Sequence, residues 1–246
     1  MKNFLSVPAG VLQPSSMKFP VIFQNEALLA LEIPEKINTK KYVDFLKDHV
    51  SSAQHQMVGL RSPILLVDGL DEATGICLLA KDQESAHFYR NLYGSDKLTL
   101  CLDFLTIPSG LEAGTALTCD LPLARHFVTG KTIVSHRTGK KTMTQFQCLE
   151  SFPKVEHWQA KTHFLRRGQL EAHAKEVGLS IFHSDDPFCV DPTRKFLKKN
   201  IQQEHWSKQY CPVILSKIEI NLEDETLTIA AELPKKFLTL KRLLSA

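Results

Sequence analysis

The sequence predicts an α+β chain with a mixed, mostly antiparallel central sheet and flanking helices. Short apolar runs bounded by Gly, Pro, Asn and Asp recur along its length, as at 64–67 and 76–80. Helical periodicity is confined to a few interspersed segments, without regular strand–helix–strand alternation. At 246 residues the chain can bury a sizeable core.

Residues 1–20, with Pro8, Pro14 and Pro20, read as an N-terminal arm, and 21–246 as a single domain. Residues 21–31 form two short strands around Asn25-Glu26. Pro34 ends them, and 39–50 places Val43, Leu46 and Val50 on a helical face. The strands at 64–67 and 76–80 enclose a polar turn with Asp68, Asp71, Thr74 and Gly75. A helix is expected at 82–93, stopped by Gly94, and a strand at 97–107. After a loop at 110–114 come a short extended piece at 115–123 and hairpin-like turns at Thr129-Gly130 and Thr138-Gly139. Residues 143–149 and 155–164 pair around Phe152-Pro153, and 169–177 is a helix closed by Gly178. The stretch 185–210 is polar, with a helix possible at 194–201. A hairpin at 213–221 and 226–231 precedes a last helix at 235–244.

Charge is unevenly distributed. Net charge is only +3, but residues 125–175 hold ten Lys/Arg against three acids, whereas 82–120 hold two against six. A one-sided positive face suits a phosphate backbone; a solvated strand-and-loop surface would read the same way. Six cysteines without CxxC pairing or metal spacing point to a reducing compartment, and the chain is expected in the cytoplasm. Neither a membrane span nor a signal peptide is predicted, and no cofactor is expected. His183, Asp185 and Asp186 fit no metal-ligand spacing, so no metal is expected either.

Asp71 sits where rigid backbone on both sides could hold a nucleophilic carboxylate, although a turn Asp has the same signature. The motifs around it decide between these readings. Asp68-Gly69-Leu70-Asp71-Glu72-Ala73-Thr74-Gly75 runs into Ile76-Cys77-Leu78-Leu79-Ala80-Lys81. Downstream stand Gly139-Lys140-Lys141-Thr142-Met143-Thr144, then Leu149-Glu150-Ser151-Phe152, then Leu165-Arg166-Arg167-Gly168-Gln169-Leu170-Glu171-Ala172-His173. In this order and spacing, over roughly residues 20–244, the chain resembles the RluA-type pseudouridine synthases, which isomerise uridine in structured RNA.

The resemblance implies a pseudouridine synthase-like catalytic-domain fold, Asp71 as nucleophile, and RNA contact by Lys140, Lys141, Arg166, Arg167, Gln169 and His173. It implies rRNA or tRNA as partner and a base flipped out of its stack. His173 taken alone is more often structural. The chain departs from the family pattern where activity depends on it. Gly69 replaces an Arg, Glu171 replaces the Arg expected to pair with the nucleophile, and no Tyr lies between Tyr93 and Tyr210. Cys101 or a neighbour takes the place of the family Tyr. A carboxylate facing another carboxylate is pushed towards protonation instead of being held charged. Asp71 and Glu171 then form either a new acid–base pair or a decayed pocket. An RNA-binding protein with impaired or absent catalysis is expected. The alternative is an inactive family member serving as a protein-interaction module, with a protein partner instead of RNA.

Overall fold

The computed structural model describes residues 4–7, 17–33, 64–67, 74–182, 213–223 and 225–245. The expected helices at 39–50 and 194–201, the turn holding Asp71, and the trio His183, Asp185 and Asp186 lie outside them.

The strands are β1 (Phe4–Val7), β2 (Met17–Gln24), β3 (Leu28–Ile33), β4 (Ile64–Leu65), β5 (Thr74–Ala80) and β6 (Leu98–Thr106). They continue with β7 (Ala116–Cys119), β8 (Leu123–Arg125), β9 (Thr132–Val134), β10 (Thr144–Phe152), β11 (Val155–Thr162), β12 (Val213–Asn221) and β13 (Thr226–Ala230). Among the described residues three helices accompany them: α1 (Gln83–Leu92), α2 (Gln169–Glu176) and α3 (Lys235–Ser245). The sheet runs β1-β2-β3-β5-β12-β6-β11-β10-β7, with β13 beside β12 and β4 beside β5. All its pairings are antiparallel except β5 with β12, where Thr74 meets Ile214 and Gly75 meets Leu215. The strands β8 and β9 form a separate two-stranded hairpin. The α+β class with a mostly antiparallel sheet is the observed one.

Local chemistry explains the boundaries. The Asn25 carboxamide accepts from the backbone N–H groups of Ala27 (3.0 Å) and Leu28 (2.7 Å), closing the β2–β3 turn. Asp82 caps α1 by accepting from Ser85 N at 2.8 Å. Gly178, at φ 82°, ends the turn that follows α2. The arm differs in part from its expected form, because β1 pairs with β2 and Pro20 faces Phe4. Proline keeps a chain extended, and Pro20 lies outside the paired register of β2 with β3, which starts at Val21.

Alternation along the strands divides the core between the two faces of the sheet. Leu98, Leu100, Leu102 and Phe104 of β6 pack with Trp158, Phe146 and Ile218, under Ala86 and Tyr89 of α1 and Leu170 and Ala174 of α2. Leu105 belongs to a second cluster with Ile214 and Phe182, under Phe237, Leu240 and Leu244 of α3. Each fully buried Leu, Ile or Phe among them contributes about 1.5–3 kcal/mol. Sandwiched between both clusters, β6 is buried at eight of its nine positions, while β10, near the edge, alternates buried and exposed from Thr144 to Leu149.

Candidate functional site

The basic residues singled out in the sequence meet where β8, the turn before β10 and the entry to α2 converge. Leu123 and Lys140 exchange backbone hydrogen bonds of 3.0 and 2.9 Å, which fixes the start of the Lys140 segment against β8. Gly139 makes that turn possible. A Cβ there would stand 2.2 Å from Ser135 O and 2.7 Å from the Pro122 carbonyl carbon, so only glycine fits. On the other side, Thr132 Oγ1 donates to Arg167 O at 2.6 Å and ties β9 to the entry of α2. Gly168 adopts φ 66°, and a Cβ on it would meet Thr132 Oγ1 at 2.8 Å. A larger residue at this motif position would push the hairpin away.

Between these anchors lies a groove of about 400 Å³, lined by Arg125, Thr132, Thr138, Lys140, Arg166 and Arg167 with small and apolar neighbours. Among the described residues that line it there is no carboxylate. The Arg166 guanidinium sits 4.9 Å from the Phe164 ring centroid, and its Nε is buried without a hydrogen-bond partner. Lys140 and Arg167 are exposed. Four cations on converging walls form a local concentration of positive charge, which attracts a polyanion. Lys141 is exposed beside the groove but does not line it.

Gln169 and His173, for which RNA contact is expected, are both fully buried. Gln169 Oε1 accepts from Arg166 N at 3.0 Å, and its amide donates to Thr144 Oγ1 and Thr162 Oγ1, each at 3.1 Å. Thr144 Oγ1 then donates to His173 Nδ1 at 2.9 Å, and His173 Nε2–H donates to Leu121 O at 3.0 Å. This chain satisfies both side chains and fixes the neutral His173 tautomer. It fastens α2, and with it Arg166 and Arg167, to β10 and β11. Thr142 donates to Leu121 O (2.8 Å) and Thr162 to Phe164 O (2.8 Å). Thr142, Thr144 and Thr162 are residues that motif reading missed, although two polar residues in a strand-entry motif that both lie inside were a usable signal.

Burial lowers the His173 pKa from its ordinary 6.5, outweighing the Leu121 carbonyl and the acids Asp120 and Glu176 that raise it. Unfolded His173 takes up a proton near 6.5, whereas folded His173 resists it. Its contribution to stability is therefore complete above that value and lost as pH falls through it. We expect the urea midpoint to drop between about pH 7.5 and about pH 5.5, and to drop less in His173→Gln. Equal drops in both proteins would contradict the assignment.

A second polar cluster, also unseen in the sequence, lies across the sheet towards α3. Asp103 Oδ1 meets His157 Nε2 at 2.6 Å, and Asp103 also accepts from the Ser216 hydroxyl and from Gln159 (3.3 Å). Burial opposes the Asp103 carboxylate, but the hydrogen bonds from His157 and Ser216 outweigh it and hold its pKa below the usual 3.8. Lys241 of α3 donates to Glu150 at 2.6 Å, and Glu150 stands 3.5 Å from His157 Nδ1. The cluster fastens α3 to β10 and β11.

Asp71 itself, with Asp68 and Gly69, lies outside the described residues, but β5 shows where its segment enters the sheet. Thr74, the first residue of β5, stands beside Ile214 of β12, which in turn faces Asp103 of β6. Glu171 is exposed in the first turn of α2. Cys101 is fully buried between Lys161 and Lys217 on neighbouring strands, and burial raises its thiol pKa. Among the described residues no group of His, Cys, Asp and Glu could hold a metal ion, and no helix is long and apolar enough to cross a membrane.

Among solved structures, human RNA pseudouridylate synthase domain containing 4 superposes with a TM-score of 0.68 at 16% identity, covering 91% of this chain and 92% of that one. The fold is pseudouridine synthase-like. Human RNA pseudouridylate synthase domain containing 1 gives a TM-score of 0.60 at 11% identity, covering 97% of this chain and 91% of its own. No protein-family model and no curated protein matches the sequence. Within the pseudouridine synthase-like frame, the Gly139-Lys140 turn, the Thr142/Thr144 pair and the Gln169–His173 helix form one connected unit that presents the basic groove.

Proposed function

We propose that this chain binds structured RNA, rRNA or tRNA in the cytoplasm, through the groove of Arg125, Lys140, Arg166 and Arg167, as a pseudouridine synthase-like protein with impaired catalysis. The groove carries the reading. Four cations converge on one groove, with no carboxylate among its described lining residues, at the place where the motif resemblance puts substrate. Catalysis is the weaker half, because Gly69 and Glu171 stand where the family has Arg, and Cys101 or a neighbour takes the place of its Tyr.

The test substitutes Lys140→Glu and Arg167→Glu together, both exposed, and leaves Arg166 packed on Phe164. RNA affinity is expected to fall at least about tenfold at low salt, and the salt dependence to flatten by roughly 0.7–0.9 per lost phosphate contact. Asp71→Asn is expected to leave affinity unchanged. Unaltered affinity in the double variant would refute the groove. Pseudouridine formed by purified protein and abolished by Asp71→Asn would restore the enzyme. A chain that binds no RNA at low salt but retains a protein partner would instead be an interaction module.

A further inference from the structure

The most exposed large apolar side chain among the described residues is not on a sheet edge or a helix face. It is Phe127, 97% exposed at the tip of the β8–β9 hairpin, with Val128 beside it at 78%. An apolar tip in water is unfavourable, and this one is held there firmly. His126 N donates to Lys131 O at 2.7 Å, Gly130 N donates to His126 O at 2.9 Å, and Thr129 N donates to the His126 ring at 3.2 Å. Arg125 Nε donates to Gly130 O at 3.2 Å, and Thr132 anchors the base of the hairpin to Arg167 O. The tip is thus preorganised and tied to the wall of the basic groove.

Position and charge indicate what meets it. Arg125 lines the groove and is two residues from Phe127, a separation of at most about 7 Å along the backbone. His126 and Lys131 belong to the same turn. An exposed aromatic face at the rim of a cationic groove is the arrangement by which single-stranded nucleic acid is held, the bases stacking while the phosphates are neutralised. We infer that Phe127 is a stacking finger for an unpaired base of the RNA whose backbone occupies the groove. This rests on the RNA-binding reading above and adds to it a substrate class: RNA with unpaired nucleotides next to a paired segment, in preference to uninterrupted duplex.

The full chain is titrated with two labelled RNAs of equal length, a stem with an unpaired loop and a fully paired duplex. Phe127→Ala, which removes no internal packing, is expected to weaken binding of the looped RNA about tenfold and to leave the duplex within about twofold. Phe127→Trp is expected to retain affinity and to show emission, above the Trp158 and Trp206 background, that is quenched by looped RNA alone. Unchanged affinity of Phe127→Ala for looped RNA, while Lys140→Glu with Arg167→Glu weakens it, overturns the finger and leaves the groove standing. Equal losses on both RNAs also overturn base stacking. Binding to anionic vesicles that needs Phe127, without any effect on RNA, would assign the tip to a membrane and overturn the inference. No RNA binding by the parent chain removes the reading on which it rests.

Discussion

Gly75→Ala is expected to cost more than about 3 kcal/mol and to leave little folded protein. Gly75, the second residue of β5, has φ 101°, in the left-handed region where an L side chain is strained by about 1–3 kcal/mol. The second cost is a collision. A Cβ there would lie 2.3 Å from Leu215 O and 3.0 Å from the Leu215 carbonyl carbon, both backbone atoms of the parallel partner β12. Relief requires β5 and β12 to separate at the parallel pairing of the sheet, beside the entry of the Asp71 segment. Gly114→Ala is the matched control, because Gly114 has φ 89° with nothing within 4 Å of its added Cβ. Denaturant midpoints for the two variants separate strain from collision. A Gly75→Ala loss no greater than that of Gly114→Ala would show that β12 yields easily.

Glu156→Ala should cost about 3–5 kcal/mol for a different reason. The carboxylate is fully buried and accepts from Ser109 N (2.7 Å), Ser109 Oγ (2.8 Å), Trp158 Nε1 (2.9 Å) and Thr106 Oγ1 (3.2 Å). Alanine leaves the buried Trp158 Nε1 and Thr106 Oγ1 donors facing a cavity, each buried unmet donor costing about 1–3 kcal/mol, whereas the exposed Ser109 can turn to water. Glu156→Gln keeps one accepting oxygen and turns an amide towards donors, so an intermediate loss is expected. Urea midpoints at neutral pH check both. A Gln variant less stable than the Ala variant would indicate that donor–donor conflict, not the lost acceptor, governs this site.

How far a local signal reaches can be judged from particular residues. Asn25, Asp82, Gly94 and Gly178 mark element ends in the sequence because their effects are confined to a few neighbouring peptide groups, and the strands and helices lie close to where they predict. The motifs located the groove as well, since Gly139-Lys140 and Arg166-Arg167 are short-range units whose neighbourhood follows from the resemblance. Gln169 and His173 read as contact residues and prove to be buried. A motif specifies residue type and spacing, but whether a helical face meets solvent or sheet depends on what packs beneath it. Asp103, His157, Ser216, Glu150 and Lys241 were not legible, because Asp103 and Ser216 lie 113 residues apart. Phe127 was one apolar residue among many until its tip proved to be exposed.

By itself the sequence determined the α+β class, most strands and helices among the described residues, and the basic segment, because these follow from periodicity, turn chemistry and charge counted along the chain. Only the tertiary structure decided that β12 lies between β5 and β6, that α2 is fastened by a neutral histidine and a buried glutamine, and that the cations of three separate segments converge on one groove. Those outcomes depend on backbone and side-chain groups distant in sequence becoming neighbours. Their free energy appears only on packing, when desolvated donors find acceptors and strand edges find partners.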